Sequence, residues 1–246
     1  MSEELLVERD GPILIVTLNR EQSLNSLSDE IHRALPETWQ AVKKDPSIRA
    51  IIITGAGTRA FCVGMDLRQN VDRGGHRPRE NDAKLKDVQG MTPMQNDVWV
   101  PTIVAVNGMC VAGGLHFVCD ADIVIASTNA AFFDTHVMIG QVAALEPIGL
   151  LPRIGLSNAL RMITLGKAGR LSAEDARQIS LVSEVVDADR GLFVRDDTPL
   201  DSLLSNQNLR RFGALMAVDA DGRLSGVITV EQLGRALKDA TTFTGP

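Results

Sequence analysis

Short apolar runs that stop on glycine most constrain what this chain can fold into. Ala50 to Thr54 (AIIIT) ends at Gly55 and Gly57; TIVAV after Pro101 ends at Asn107-Gly108; Ile123 to Ala126 follows Asp122. Each is too short for a helix and too apolar for an exposed strand, so each reads as a buried strand feeding a loop. Gly11 to Asn19 (GPILIVTLN) reads as another strand, and Ser28 before Asp29 and Glu30 reads as a capped helix start, with Pro36 expected to kink or shorten that helix. Strands alternating with helical stretches imply βαβ units, hence an α/β architecture with a mostly parallel sheet.

Composition narrows the function classes. The chain has 246 residues, net charge −6, 4% aromatic residues and no tyrosine. Nucleic-acid backbone binding needs clustered cations, and stacking sites need aromatic rings, so no nucleic-acid partner is expected. No apolar run approaches the ~18 residues of a membrane span, and MSEELLVERDG lacks the pattern of a signal peptide. A soluble, cytoplasmic protein with no membrane partner is expected. Cys62, Cys110 and Cys119 sit among apolar neighbours at wide spacing, which suits reduced packing residues, with no disulfide framework and no metal.

Three segments carry the chemistry. Gly55-Ala56-Gly57-Thr58-Arg59-Ala60 formally fits the dinucleotide fingerprint, but FCVGMDL follows where a helix should open, so a nicotinamide site is not expected. The segments Arg59 to Leu67 (RAFCVGMDL) and Asn107 to His116 (NGMCVAGGLH) each follow a buried run and hold small residues. Small residues let backbone N–H groups point at a ligand oxygen, and two such donors make an oxyanion hole; each segment alone also fits a tight turn. Between Arg68 and Val98 a polar stretch fits either a solvated surface excursion or a substrate lid.

Together, TLNREQSLNSLS, RAIIITGAGTRAFCVGMDL, PTIVAVNGMCVAGGLHFVCDADIVIAS and LLPRIGLSNALRMITLGKAGRLSAEDA, closing on LVSEVV, resemble the crotonase, or enoyl-CoA hydratase/isomerase, superfamily from about Val7 to Asp187. The resemblance implies a ββα-spiral core acting on acyl-CoA thioesters in fatty acid metabolism. It implies an oxyanion hole of the Met65 and Gly113 N–H groups, CoA and substrate contacts at Gln22, Ser23, Leu24, Ala60, Phe61, Gly64, Asp66, Leu67 and Gly114, and a homo-oligomer, trimer or hexamer. Coenzyme A would be part of the substrate, and no separate cofactor is implied.

The chain departs from the family at the acid/base positions. Where hydratases carry two glutamates this sequence has His116 and His136, and a later position that is aspartate in some members is Ala144. Histidine titrates near neutrality, so the pair can serve as acid and base, with Glu146 or Asp134 assisting. Glu146, just before Pro147, also fits a cap or dipole partner of the following helix. Three readings follow: a hydratase or isomerase with histidine in place of glutamate, a degenerate CoA-thioester-binding or regulatory protein, and an acyl-CoA hydrolase.

The division expected is residues 1–190 as the acyl-CoA domain and 191–246 as a second module. In the latter, VRDDTPLDSLLSNQNLRRFGALMAVDADGRLSGVITVEQLGRAL resembles a single CBS module, a small α+β unit replacing the C-terminal helices usual in crotonases. Its turn would be Asp219 to Gly222 and its helix Asp201 to Leu209. Gly226, Val227, Ile228 and Thr229 fit the CBS nucleotide motif, but Gln232 stands where that motif has aspartate, so adenine-nucleotide binding is not expected.

Overall fold

The computed structural model describes residues 2–68, 90–186, 193–195, 197–205, 209, 214–218 and 224–235. The chain divides into two compact units, Met1–Val185 and Val186–Pro246.

The first unit is built on two sheets. β1 (Leu5–Asp10) and β2 (Ile13–Leu18) form an antiparallel hairpin that turns at Gly11, where φ is +54°. β2 continues in parallel to β3 (Ala50–Gly55), β3 to β5 (Thr102–Val106), and β5 to β7 (Ile123–Ser127). With β10 (Glu184–Val186) this gives a six-stranded sheet in the order β1-β2-β3-β5-β7-β10. A second, four-stranded sheet runs β4 (Ala60–Cys62), β6 (Met109–Val111), β8 (Ala131–Phe133), β9 (Leu171–Ser172).

The chain alternates between these sheets: β3 leads to β4, β5 to β6, and β7 to β8. Helix α2 (Leu115–Asp120) follows β6, and α3 (Leu145–Leu165) follows β8. Each glycine stop read from the sequence is therefore the point where the chain leaves the large sheet for the small one. That change of direction needs close backbone approach: a Cβ on Gly108 would stand 2.6 Å from Ala60 N, and one on Gly55 would stand 2.4 Å from Phe61 O.

α1 (Asp29–Lys43) begins at Ser28, whose hydroxyl accepts from Ile31 N–H, and buries Ile31, Leu35, Trp39 and Val42 along one stripe. Trp39 is fully buried, its indole N–H donating to Met91 O at 2.9 Å, so apolar burial and a satisfied polar tip coincide. Pro36 does not shorten the helix, which continues for two turns beyond it. The stripe on both sides of Pro36 packs into the core, and that packing outweighs the lost backbone hydrogen bond. α4 (Ala173–Gln178) opens with a capping box between Ser172 and Asp175.

The second unit holds β11 (Phe193–Arg195), α5 (Leu200–Ser205), β12 (Ala214–Val218) and β13 (Leu224–Thr229). β11 and β12 are parallel, and β12 and β13 antiparallel. Leu203, Leu209, Leu215 and Leu233 form its small core. Thr229 and Gln232 bond each other's backbone N–H, which caps the helical residues 230–235. Gln232 is thus engaged in helix capping at the position where a nucleotide-binding aspartate was sought. α5 starts at Leu200, Leu209 is also helical, and residues 206–208 of the expected Asp201 to Leu209 helix lie outside the described residues, as do the Asp219–Gly222 turn and most of the polar stretch after Arg68. Among the described residues no helix is long and apolar enough to cross a membrane, and the three cysteines are free thiols.

Candidate active site

Two loops meet where the oxyanion donors were expected. Leu27 N–H donates to Gly64 O at 2.8 Å and Asp66 N–H to Leu27 O at 3.0 Å, a parallel bridge centred on Met65. In such a bridge the central residue turns its own N–H away from the partner strand. Gly64 has φ +84°, and a Cβ on it would stand 2.9 Å from Gly113 N; a Cβ on Gly113 would stand 3.7 Å from Met65 N. Gly113 lies in the 3-10 turn Ala112–Gly114 that leads into α2, where N–H groups have no intrahelical partner. Met65 and Gly113 are thus neighbours across a gap that only glycine leaves open.

Of the residues expected to contact CoA, Gln22, Ser23 and Leu67 are exposed and Leu24 is half-buried. Ala60, Phe61, Gly64 and Gly114 are buried. Phe61 packs edge-on against Phe117 at 5.8 Å, and a Cβ on Gly114 would stand 2.5 Å from Cys62 O. These residues bring the two loops together through packing, while Asp66 is held in an ion pair with Arg20 at 2.9 Å.

Sequence reasoning missed the two residues that brace this region. Arg20 bridges Glu4 and Asp66 at 2.9 Å each and also donates to Ser26. Asn25, fully buried with φ +55°, accepts from Arg20 N–H and donates to Ala56 O and Ala60 O. A polar residue beside Ser and Leu in a loop carries no local periodicity to reveal such a role.

The titratable residues gather into one line. His116, in the first turn of α2, places Nε2 3.3 Å from Glu146 Oε1. Glu146, in the first turn of α3, lies with the same oxygen 3.8 Å from His136 Nε2. His136 places Nδ1 2.9 Å from Asp134 Oδ2, and its backbone N–H donates to Asp134 Oδ1 at 2.8 Å. Asp134, Glu146 and His116 are buried, and only the His136 ring is partly open to solvent. The sequence brought both histidines and both carboxylates into view, but not that Glu146 stands between the two rings.

Charge follows from these contacts. The hydrogen bond to Asp134 chiefly holds His136 above the usual imidazole range, with burial opposing and the Glu146 and Asp134 charges adding to the rise. Burial pushes the Glu146 carboxyl up. The hydrogen bond and charge of His116, its own backbone N–H and the His136 charge outweigh it, and Glu146 lies below the usual carboxylate range. The helix N-terminus also favours an anion there. The line therefore favours the anionic form of Glu146 and the protonated form of His136, each over a wider pH range than the free group would hold it. Asp134, His136 and Glu146 each place a donor atom within 4.8 Å of the others, close enough to gather around a divalent ion. The contacts described engage these groups with one another.

Comparison with known proteins identifies the family. The enoyl-CoA hydratase/isomerase family model matches residues 8–195. An (E)-benzylidenesuccinyl-CoA hydratase of Thauera aromatica is 39% identical over 184 residues, covering 74% of this chain and 69% of its own. A 1,2-epoxyphenylacetyl-CoA isomerase of Escherichia coli is 34% identical over 189 residues, covering 76% of this chain and 71% of its own. Among solved structures, an enoyl-CoA hydratase/isomerase from Mycobacterium paratuberculosis superposes with a TM-score of 0.67 at 36% identity, over 78% of this chain and 71% of that one. This chain belongs to the enoyl-CoA hydratase/isomerase family and is an acyl-CoA enzyme of the hydratase or isomerase type.

Proposed function

We propose that the enzyme stabilises a thioester enolate with the Met65 and Gly113 N–H groups and moves protons with Glu146 and His136. The observation that carries this reading is the buried line His116–Glu146–His136–Asp134. When a nucleophile adds to the β-carbon of an enoyl thioester, or a proton leaves the α-carbon, negative charge grows on the thioester oxygen. Two preorganised N–H donors lower that barrier, and one such donor accounts for about 10²–10³ in rate.

The proton steps follow from the charges. Glu146, anionic, takes a proton from water or from a substrate carbon; His136, protonated, returns one to the neighbouring carbon. The 3.8 Å separation of Glu146 Oε1 and His136 Nε2 exceeds a direct hydrogen bond and suits a shared water or substrate group. His116 holds the far side of Glu146. Histidine thus stands at both positions where the family has glutamate, and the carboxylate comes from the start of α3.

The test is turnover of a short trans-2-enoyl-CoA, read as loss of the conjugated thioester absorbance. His136→Ala and Glu146→Gln should each lower kcat/KM by about 10²–10⁴. No turnover by the wild-type protein, or a double variant as active as wild type, overturns the assignment.

We also propose that the second unit is a CBS-like module and that the enzyme works as a homo-oligomer. The strand, helix, hairpin and helix order of the tail supports the first. Exposed Val142, Ile148, Leu156 and Leu160, on α3 and the loop before it, support the second. Light scattering of the full chain, and of a variant with Ile148 and Leu156 changed to Glu, tests it; a wild-type monomer overturns it.

A further inference from the structure

We infer that Asp134 is a positioning residue of this site, and that by holding His136 at Nδ1 it makes Nε2 the atom through which protons pass. The inference rests on the acid–base reading above but makes a separate claim. Asp134 is fully buried, and its carboxylate takes two bonds from one residue: the His136 backbone N–H at 2.8 Å and the ring Nδ1 at 2.9 Å. One carboxylate therefore grips both the main chain and the ring, leaving the imidazole little freedom about its side-chain torsions.

A carboxylate only accepts, so the ring nitrogen facing it must carry hydrogen. That assignment leaves Nε2 on the side of Glu146 Oε1. The charged groups facing the ring are Asp134, two residues before it, and Glu146, from the start of α3; His116 stands behind Glu146. Without Asp134, the Nδ1–H tautomer loses its partner, and the ring is free to place its hydrogen on Nε2 or to turn away from Glu146.

Capping the turn at Thr135 does not by itself call for a buried anion, because an asparagine oxygen accepts from the same backbone N–H. Asp134→Asn therefore separates the roles: it keeps size and the backbone bond but offers the ring an amide that can also donate.

The experiment combines kinetics with ¹⁵N NMR of the histidine rings in the full-length protein. Asp134→Asn is expected to lower kcat by about 10²–10⁴ with KM changed less than about threefold. It should move the alkaline limb of the kcat/KM profile to lower pH and shift neutral His136 from the Nδ1–H to the Nε2–H tautomer. A variant that loses rate but keeps the wild-type limb and tautomer has lost only structure, and overturns the inference; so does a variant with wild-type kinetics. Should Asp134→Asn fail to fold, the wild-type tautomer decides, and an Nε2–H ring there overturns it. If His136→Ala leaves turnover unchanged, the acid–base reading fails, and the tautomer still reports on Asp134 independently.

Discussion

Glu146 Oε1 and His116 Nε2 lie 3.3 Å apart, and both side chains are almost closed to solvent. The pair joins the first turn of α2 to the first turn of α3, so the carboxylate is held by a residue close in sequence to Gly113, the proposed donor. His116→Phe removes that hold, leaving a buried carboxylate with a lost hydrogen bond. The variant should raise the Glu146 pKa, move the acid limb of kcat/KM upward in pH, and lower stability by about 1–3 kcal/mol in urea denaturation. An unchanged acid limb would show that His116 does not hold Glu146 ionised.

The wild-type pH profile should be broad. Glu146 sits below its ordinary 4.5 and His136 above its ordinary 6.5, so activity should rise as Glu146 ionises at acidic pH and fall only when His136 loses its proton. Stability follows the same groups. The His136 contribution is complete below 6.5 and disappears as pH climbs through the raised value, whereas that of Glu146 is complete above 4.5 and disappears as pH drops through the lowered one. Denaturant midpoints across that range, for wild type and His136→Ala, check both signs: only wild type should lose stability on the alkaline side through this ring.

Gly64→Ala puts a methyl group 2.9 Å from Gly113 N at a residue with φ +84°. The left-handed backbone costs about 1–2 kcal/mol, and the crowding displaces one proposed donor. A fall in kcat of about 10²–10³ is expected, with a smaller relative change in KM, in steady-state assays of folded variant.

Asn25→Ala tests the brace beneath the site. It removes bonds to Arg20 N–H, Ala56 O and Ala60 O at a fully buried position with positive φ. A stability loss of about 2–4 kcal/mol is expected by chemical denaturation, since buried backbone groups are left unmatched. A neutral substitution would mean that water or a neighbour takes over those bonds.

Burial pushes the Cys62 and Cys119 thiols up to about 12, and Cys110 well above 9.0. Alkylation proceeds through the thiolate, so the native protein at pH 8 should react about a thousandfold more slowly than the unfolded chain. Mass spectrometry after iodoacetamide treatment, with and without urea, measures the ratio.

Much of this was legible in the residues because periodicity and turn chemistry are local. The runs at Ala50, Thr102 and Ile123 became strands of the large sheet, Ser28 became a helix cap, and the histidines at 116 and 136 converged on one site. What stayed hidden is long-range. The short strands Ala60–Cys62, Met109–Val111 and Ala131–Phe133 form their own sheet only because each follows a strand of the other. Pro36 was expected to kink or shorten its helix because its cost is local, whereas the packing of Trp39 that offsets it is tertiary. The place of Glu146 between two imidazoles depends on the register of α2 against α3, which no window of sequence contains.

The close approach of Gly64 to Gly113 has a consequence for how such an enzyme changes over generations. The proposed donors are peptide groups, encoded by the path of the chain and the small size of its neighbours rather than by a reactive side chain. On the proposed reading, substitution at 116 or 136 alters which proton moves while the hold on the thioester oxygen persists. Such a scaffold would be conservative about the kind of molecule it accepts and permissive about what is done to it.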